Sequence, residues 1–335
     1  MTMPTKLLIR ALFCLLPLLL LGQAPARADV PVPGERGISE WLQRLHEASR
    51  RRAYIGTLVV SSAGAMSSSR VWHVCDGQQQ IERVESLTGT PRSTFRRNDE
   101  VVTFSPQTRV AVAEKRDTLG LFPQLLKSPD AAIDLHYSAS GQGSERVAGF
   151  EADVVQLSPR DRLRFGYRIW SERKTGLMVK MQTLDMQGQV LEQVAFSELQ
   201  LDAPVSMDKL KRMMGNTEGY RVESLSLVKT TAAAQGWRLA QEIPGFRAMG
   251  CYRRPVPAGG DTVQWVFSDG LASVSLFIES YDPQRHPQEG AQAMGATHAL
   301  VQRGRGPAAA WWFTLVGEVP AQTLQLFAQG LERIP

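Results

Sequence analysis

Arg160-Asp161-Arg162-Leu163-Arg164-Phe165-Gly166-Tyr167-Arg168-Ile169 is the stretch that decides the fold. Arginines occupy one parity, and Leu163, Phe165, Tyr167 and Ile169 occupy the other. Side chains alternate across an extended chain, so a strand from Arg162 to Trp170 is predicted, greasy on one face and cationic on the other. Lys174-Thr175-Gly176 and Met186-Gln187-Gly188 then supply hairpin turns to strands at Leu177 to Leu184 and Val190 to Phe196. The result is an antiparallel meander.

Working outward, the same short alternating segments, separated by Gly, Pro, Asn, Asp and Ser, run back to Tyr54. They are Tyr54 to Ser61, Val71 to Cys75, Gln80 to Glu85, Ser93 to Arg97, Val101 to Phe104, Arg109 to Ala113, Ile133 to Ser138, Glu145 to Ala148 and Asp153 to Leu157. Before them, Ile38, Trp41, Leu42 and Leu45 recur at i, i+3, i+4, i+7, the mark of one amphipathic helix. So many strands behind a single helix imply a strongly curved sheet or partial barrel over residues 29–205. Leu119, Leu121, Phe122, Leu125 and Leu126 cluster around Pro123 and predict a short helix, read either as core packing or as a plug over an apolar cavity. The parity argument nominates the lining of such a cavity from Leu58, Val60, Phe104, Leu163, Phe165, Tyr167, Ile169, Val179 and Met181, against the ordinary alternative of a filled core.

Ala203-Pro204 to Gly219 reads as a boundary with a short basic helix from Ser206 to Met214, placing a linker at 206–231 and a smaller α+β unit at 232–335. In that unit, Asp269-Gly270 stands between Val263 to Phe267 and Leu271 to Ile278, a strong hairpin signal. Pro307 to Val319 predicts a further strand. Pro320 then opens a final helix with Leu324, Phe327, Ala328 and Leu331 on its buried stripe.

Lys6 and Arg10 flank an apolar run from Ala11 to Leu21, followed by small residues that offer cleavage after Ala28 or Ala26. The run is too short to span a hydrocarbon core of about 30 Å, so residues 1–28 are predicted to be a secretory signal peptide and not an anchor. Cys14 lacks the small residue that a lipoprotein-type cleavage site places before it, which favours a soluble exported product. The whole chain, 335 residues with 38 basic against 33 acidic side chains, carries +5. Loss of Lys6, Arg10 and Arg27 with the signal leaves 35 against 33, about +2, which removes any global argument for nucleic acid. Cys75 and Cys251 could oxidise in an exported protein, but two unbridged thiols on strands are preferred.

The five histidines, at positions 46, 73, 136, 286 and 298, never fall at metal-ligand spacing, and neither mature cysteine lies in a CxxC pair. GxSxG, HExxH and phosphate-loop patterns are missing too, so the reading is a binding protein with no catalytic residue, cofactor or metal. Arg50-Arg51-Arg52, Arg96-Arg97, Arg253-Arg254 and the Arg160 to Arg168 face are either solvated surface or contacts for anions such as phosphorylated lipid head groups or an acidic peptide.

Three runs in the first unit carry a resemblance: Phe165-Gly-Tyr-Arg-Ile-Trp170, Lys174-Thr-Gly-Leu-Met-Val-Lys-Met181 and Gly188-Gln-Val-Leu-Glu-Gln193. Trp237 to Phe246, Phe267-Ser-Asp-Gly270 and Val316-Gly-Glu-Val-Pro-Ala-Gln-Thr323 extend it through the second. In this order, behind a signal peptide, they resemble the RseB/MucB family of periplasmic regulators of the envelope-stress sigma factor. The resemblance implies a lipoprotein-carrier-like (LolA/LolB-like) half barrel followed by a smaller α+β domain. It also implies binding to the periplasmic part of a membrane-spanning anti-sigma factor, protection of that part from proteolysis, and release when lipopolysaccharide or another lipid is sensed. No cofactor is implied, and a homo-oligomer is left open. On this reading the partner is held by the C-terminal domain, with Arg253, Arg254, Trp265, Phe267, Asp269 and Gly270 as candidate contacts. Ile243-Pro-Gly-Phe246 departs from the family, which commonly has one more residue between the proline and the glycine. The alternative function on the same half barrel is a lipoprotein or lipid carrier, although a simple carrier would not need the second domain.

Overall fold

The computed structural model describes residues 38–115, 133–225, 227–255, 261–286 and 288–334. The expected signal peptide and the Leu119 to Leu126 cluster lie outside them. Helix α1 (Ile38–Arg51) buries Ile38, Leu42, Leu45 and Ala48, with Glu40 in its first turn and Arg50 and Arg51 in its last, charges that suit the helix dipole. It leads into β1 (Tyr54–Ser62), β2 (Ala65–Cys75), β3 (Gln80–Ser86), β4 (Ser93–Arg97), β5 (Glu100–Ser105) and β6 (Val110–Lys115). A single turn, α2 (Ile133–His136), precedes β7 (Tyr137–Val147), β8 (Phe150–Pro159), β9 (Gly166–Glu172), β10 (Met178–Leu184) and β11 (Val190–Leu201). Then α3 (Met207–Gly215), capped by the Ser206 hydroxyl, hands over to β12 (Arg221–Leu225).

These strands form one open sheet in the order β12-β6-β5-β4-β3-β2-β1-β11-β10-β9-β8-β7, antiparallel except for β12 on β6. It curls so far that β7 touches β11 across the three strands between them. On one face the register runs Val60, Val194, Met181, Ile169 and Val155 from strand to strand. Leu42 and Leu45 of α1 pack on Tyr167, Ile169 and Met181 there. Helix α3 covers the other face, where Leu210 and Met214 meet Ile81, Phe95 and Phe104. The half barrel implied by the resemblance is thus present as a curved sheet that does not close.

Three expectations are corrected. Arg160 to Phe165 is not strand, and β9 starts only at Gly166. Asp161 accepts the Leu163 N–H at 2.9 Å and binds Arg164 at 2.5 Å, folding the segment into a loop that polar contacts hold. Ile133 to His136 is a helical turn, because Asp134 accepts the Ile38 N–H at 3.2 Å and ties that turn to the start of α1. Pro307 begins no strand, since residues Gly306–Ala308 form a 3-10 turn and extended chain resumes at Trp311.

The second lobe has β13 (Val228–Thr230), β14 (Trp237–Leu239), β15 (Arg247–Pro255), β16 (Asp261–Ser268), β17 (Ser273–Ser280), β18 (Gly290–Met294), β19 (Thr297–Arg303), β20 (Trp311–Gly317), α4 (Ala321–Gly330) and β21 (Leu331–Arg333). Its main sheet is ordered β13-β15-β16-β17-β20-β19-β18, with β14 and β21 paired apart. Leu324, Phe327 and Ala328 of α4 close its core over Phe267, Val274, Leu276 and Leu315.

Candidate functional site at the junction of the two lobes

Two of the motifs singled out in the sequence meet in space. Arg164, in the loop before β9, is fully buried, and its Nε donates at 2.8 Å to Oδ2 of Asp269, whose side chain is equally buried. Asp269 sits in the four-residue turn between β16 and β17, where its Oδ1 accepts the N–H groups of Leu271 at 2.9 Å and Ala272 at 2.7 Å. The Tyr137 hydroxyl, at the start of β7, donates to Oδ2 at 2.9 Å. The carboxylate is therefore supplied with donors on both oxygens. The guanidinium also spends Nη1 on Asp161 and Nη2 on the Pro244 carbonyl at 2.7 Å. A buried charge pair is tolerated only when satisfied in this way, and removing one partner typically costs about 3–5 kcal/mol. Burial, then the Asp269 charge, pushes the Tyr137 phenol well above its ordinary value, so it remains a proton donor.

Around this pair the lobes interlock. Leu163 packs into the core of the second lobe and Leu271 into that of the first. Thr323 Oγ1 donates to the Leu163 carbonyl at 2.8 Å, Gln322 Nε2 donates to the Arg162 carbonyl, and the Phe165 ring meets His298 edge-on at 5.7 Å. Pro244-Gly245 forms the tight turn between Ile243 and Phe246, closed by the Phe246 N–H on the Ile243 carbonyl at 3.0 Å, with Gly245 at φ +80°. The shorter Ile243 to Phe246 segment thus presents the carbonyl that Arg164 grips. Beside the junction, a cleft of about 500 Å³ is lined by Ser61, Ser62, Gln182, Leu191, Gln193 and Gly295.

Of the nine cavity candidates, register puts Leu58, Val60, Tyr167, Ile169 and Met181 on one face of the sheet, where Tyr167, Ile169 and Met181 pack with α1 and Leu58 and Val60 belong to the neighbouring cluster. Phe104 faces α3 on the other side. Val179 is the extra residue of a bulge between Met178 and Lys180 and joins the neighbouring cluster with Trp170 and Phe196. Leu163 and Phe165 serve the junction. Among the partner candidates, Arg253 is half exposed and 3.4 Å from Asp261, and Arg254 is half-buried. Trp265 lies 4.6 Å from Phe267, and Phe267 4.8 Å from Phe327, so both rings belong to the domain core. Asp269 is committed to Arg164 of the first lobe, and the Gly270 N–H donates to the Ser268 hydroxyl within its own turn. Cys75 and Cys251 are both free thiols, on separate sheets, and burial pushes the Cys251 thiol up to about 11. Among the described residues no three His, Cys, Asp or Glu side chains converge as a metal site would need, and no helix is long and apolar enough to cross a membrane.

Sequence reasoning missed Arg164. It stood within an arginine-rich alternation that reads as solvated surface, and its partner is 105 positions away. The Asp161 to Arg164 spacing of three was the only local sign.

An open curved sheet and a smaller sheet lobe, clasped by a buried ion pair, define a two-lobed protein with a lipoprotein-carrier-like first lobe. Residues 37–214 match the MucB/RseB N-terminal domain and residues 231–332 the MucB/RseB C-terminal domain. The chain belongs to the MucB/RseB family, a family of regulatory binding proteins. It is 30% identical, over 93% of its length and 95% of the relative's, to "Sigma factor AlgU regulatory protein MucB" of Pseudomonas aeruginosa PAO1. It is 22% identical, over 87% and 89%, to "Sigma-E factor regulatory protein RseB" of Escherichia coli K12. Among solved structures, the Pseudomonas aeruginosa MucA/MucB complex aligns at 27% identity with a TM-score of 0.69, covering 89% of this chain and 99% of that one. MucB in complex with MucA(peri) aligns at 26% and 0.67, covering 89% and 100%.

Proposed function

We propose that this chain is a periplasmic negative regulator of envelope-stress sigma factor signalling, exported with removal of a signal peptide near Ala28. It binds the periplasmic part of a membrane-spanning anti-sigma factor and shields it from the protease that starts its degradation. It lets go when lipopolysaccharide or another lipid occupies the face of the curved sheet that carries Leu58, Val60, Tyr167, Ile169 and Met181. The exposed margin of β15, with Arg253 and Arg254, contacts the partner.

The single observation behind this reading is the match of both lobes, in order, to a family whose curated members are named sigma factor regulatory proteins. Solved complexes of MucB with MucA(peri) support a protein partner of that kind. The second lobe argues against a simple lipid or lipoprotein carrier, because the interlocked junction spends a buried charge pair on fixing a domain that carrying would not require. The test is a pull-down from envelope extract with the mature chain as bait. Recovery of a membrane-anchored anti-sigma factor, retained by its periplasmic segment, is the expected result. Recovery of a set of lipoproteins without it would replace the regulator with a carrier.

A further inference from the structure

We propose that the edge of β18, unpaired among the described residues, is a strand-addition site that takes an extended, uncharged segment of the protein partner. This rests on the regulator reading above and names where on the second lobe the partner is gripped.

A sheet edge offers unpaired N–H and C=O groups, and proteins usually blunt it with charge, bulges, proline or brevity. The other edges here are blunted. Strand β7 has a bulge between Gly141 and Ser144 and carries Glu145 and Arg146. Strand β12 carries Arg221 and Glu223, which pair with each other. Strand β13 has only three residues, with Lys229 at its centre, and the β14 and β21 pair is equally short and bridged by Arg238 and Glu332. By contrast, β18 is Gly290-Ala291-Gln292-Ala293-Met294, five residues with no charge, proline or bulge, exposed along its whole length.

The turn fixes which backbone groups point outward. Met294 and Thr297 flank a two-residue turn, Gly295-Ala296, with Gly295 at φ +60°. In such a hairpin the flanking pair exchanges both of its hydrogen bonds, and the pattern alternates from there. Gln292 therefore bonds back to β19, whereas Ala291 and Ala293 direct their N–H and C=O groups away from the sheet.

A second observation lies at the end of the same hairpin. Gly295 lines the cleft beside the junction, and so does Gln182, whose Oε1 is buried without a hydrogen-bond partner while its Nε2 donates to Gln193 at 2.7 Å. A lone buried acceptor in a cleft without charged lining suits a neutral N–H donor such as a peptide amide. An extended segment that pairs with Ala291 and Ala293 and runs on past Gly295 would deliver one. Strand addition of this kind draws affinity from main-chain hydrogen bonds and selectivity from alternate side chains.

The test uses the full mature chain, its anti-sigma factor's periplasmic segment, and Ala293→Pro, which removes an outward N–H without touching the β18–β19 ladder. The expected result is at least a tenfold loss of affinity with an unchanged unfolding midpoint. If that variant fails to fold, amide exchange on the wild type replaces it: Ala291 and Ala293 should gain at least tenfold protection when the segment is added. Binding equal to wild type, or no added protection, overturns the proposal and leaves the regulator reading intact. Failure of the wild type to bind the segment at all defeats the regulator reading, and this proposal with it. Loss of self-association without loss of partner affinity would make the edge a contact between two copies, which also overturns it.

Discussion

Asp269 shows how much can depend on one carboxylate. It accepts from Arg164, Tyr137 and two backbone N–H groups, so Asp269→Asn removes the fully buried counter-charge of Arg164 and leaves it only the half-buried Asp161. Chemical denaturation of that variant should show a loss of about 3–5 kcal/mol. Replacing both partners with apolar residues, as in Arg164→Met with Asp269→Leu, should cost clearly less than the two single losses added together, since neither charge is then stranded. The tyrosines make a second prediction at this scale. Burial raises Tyr54, Tyr137 and Tyr167 well above their ordinary value. An unfolded tyrosine ionises near about pH 10, so above that the unfolded state loses its protons first. Stability present below pH 10 should then fall as pH rises toward the folded values, measurable as a declining denaturation midpoint. Arg253 and Arg254 differ in kind from Arg164. Arg253 is half exposed and pairs with Asp261 at 3.4 Å, so replacing both arginines with alanine should shift stability by under about 1 kcal/mol. A fall in partner affinity under that double substitution would place them in the interface, and unchanged affinity would remove them.

At the level of elements, the Ile243 to Phe246 turn is where sequence and junction constrain each other most tightly. A Cβ on Gly245 would lie 2.6 Å from His136 Nε2 and 2.7 Å from Arg164 Nη2, at a backbone φ of +80°. Gly245→Ala should therefore cost about 1–3 kcal/mol through strain alone, read from the same denaturation curves, and more if Arg164 is displaced. Much of this architecture was legible beforehand. The meander from β9 to β11 followed from its turns, and Ser206 marked the start of α3, where its hydroxyl now accepts the Lys209 N–H at 3.2 Å. What escaped had physical reasons. The bulge at Val179 reverses side-chain parity with no sequence mark, so it broke the assumption that Val179 and Met181 share a face. Strand β18 has no β-branched or aromatic residue, and propensity is silent there. At the junction, Asp269 announced a turn, but its partner is assigned only by long-range packing, 105 residues away.

Taken as a whole, the molecule is two sheets whose relative position is set by a satisfied buried charge pair and by side chains exchanged between cores. Such a junction suits a protein that must convert occupancy on one lobe into a change of grip on the other, because a packed interface has few intermediate arrangements. The lipid response proposed above is reciprocal if it exists: lipid then weakens partner binding by the same factor by which partner weakens lipid binding. Calorimetric titration of the anti-sigma factor's periplasmic segment into the mature chain, with and without saturating lipopolysaccharide, tests this most directly. The account predicts a tight complex without lipid and an affinity lower by at least about fivefold with it, corresponding to a coupling of about 1 kcal/mol or more. Affinity unchanged by lipid would contradict it.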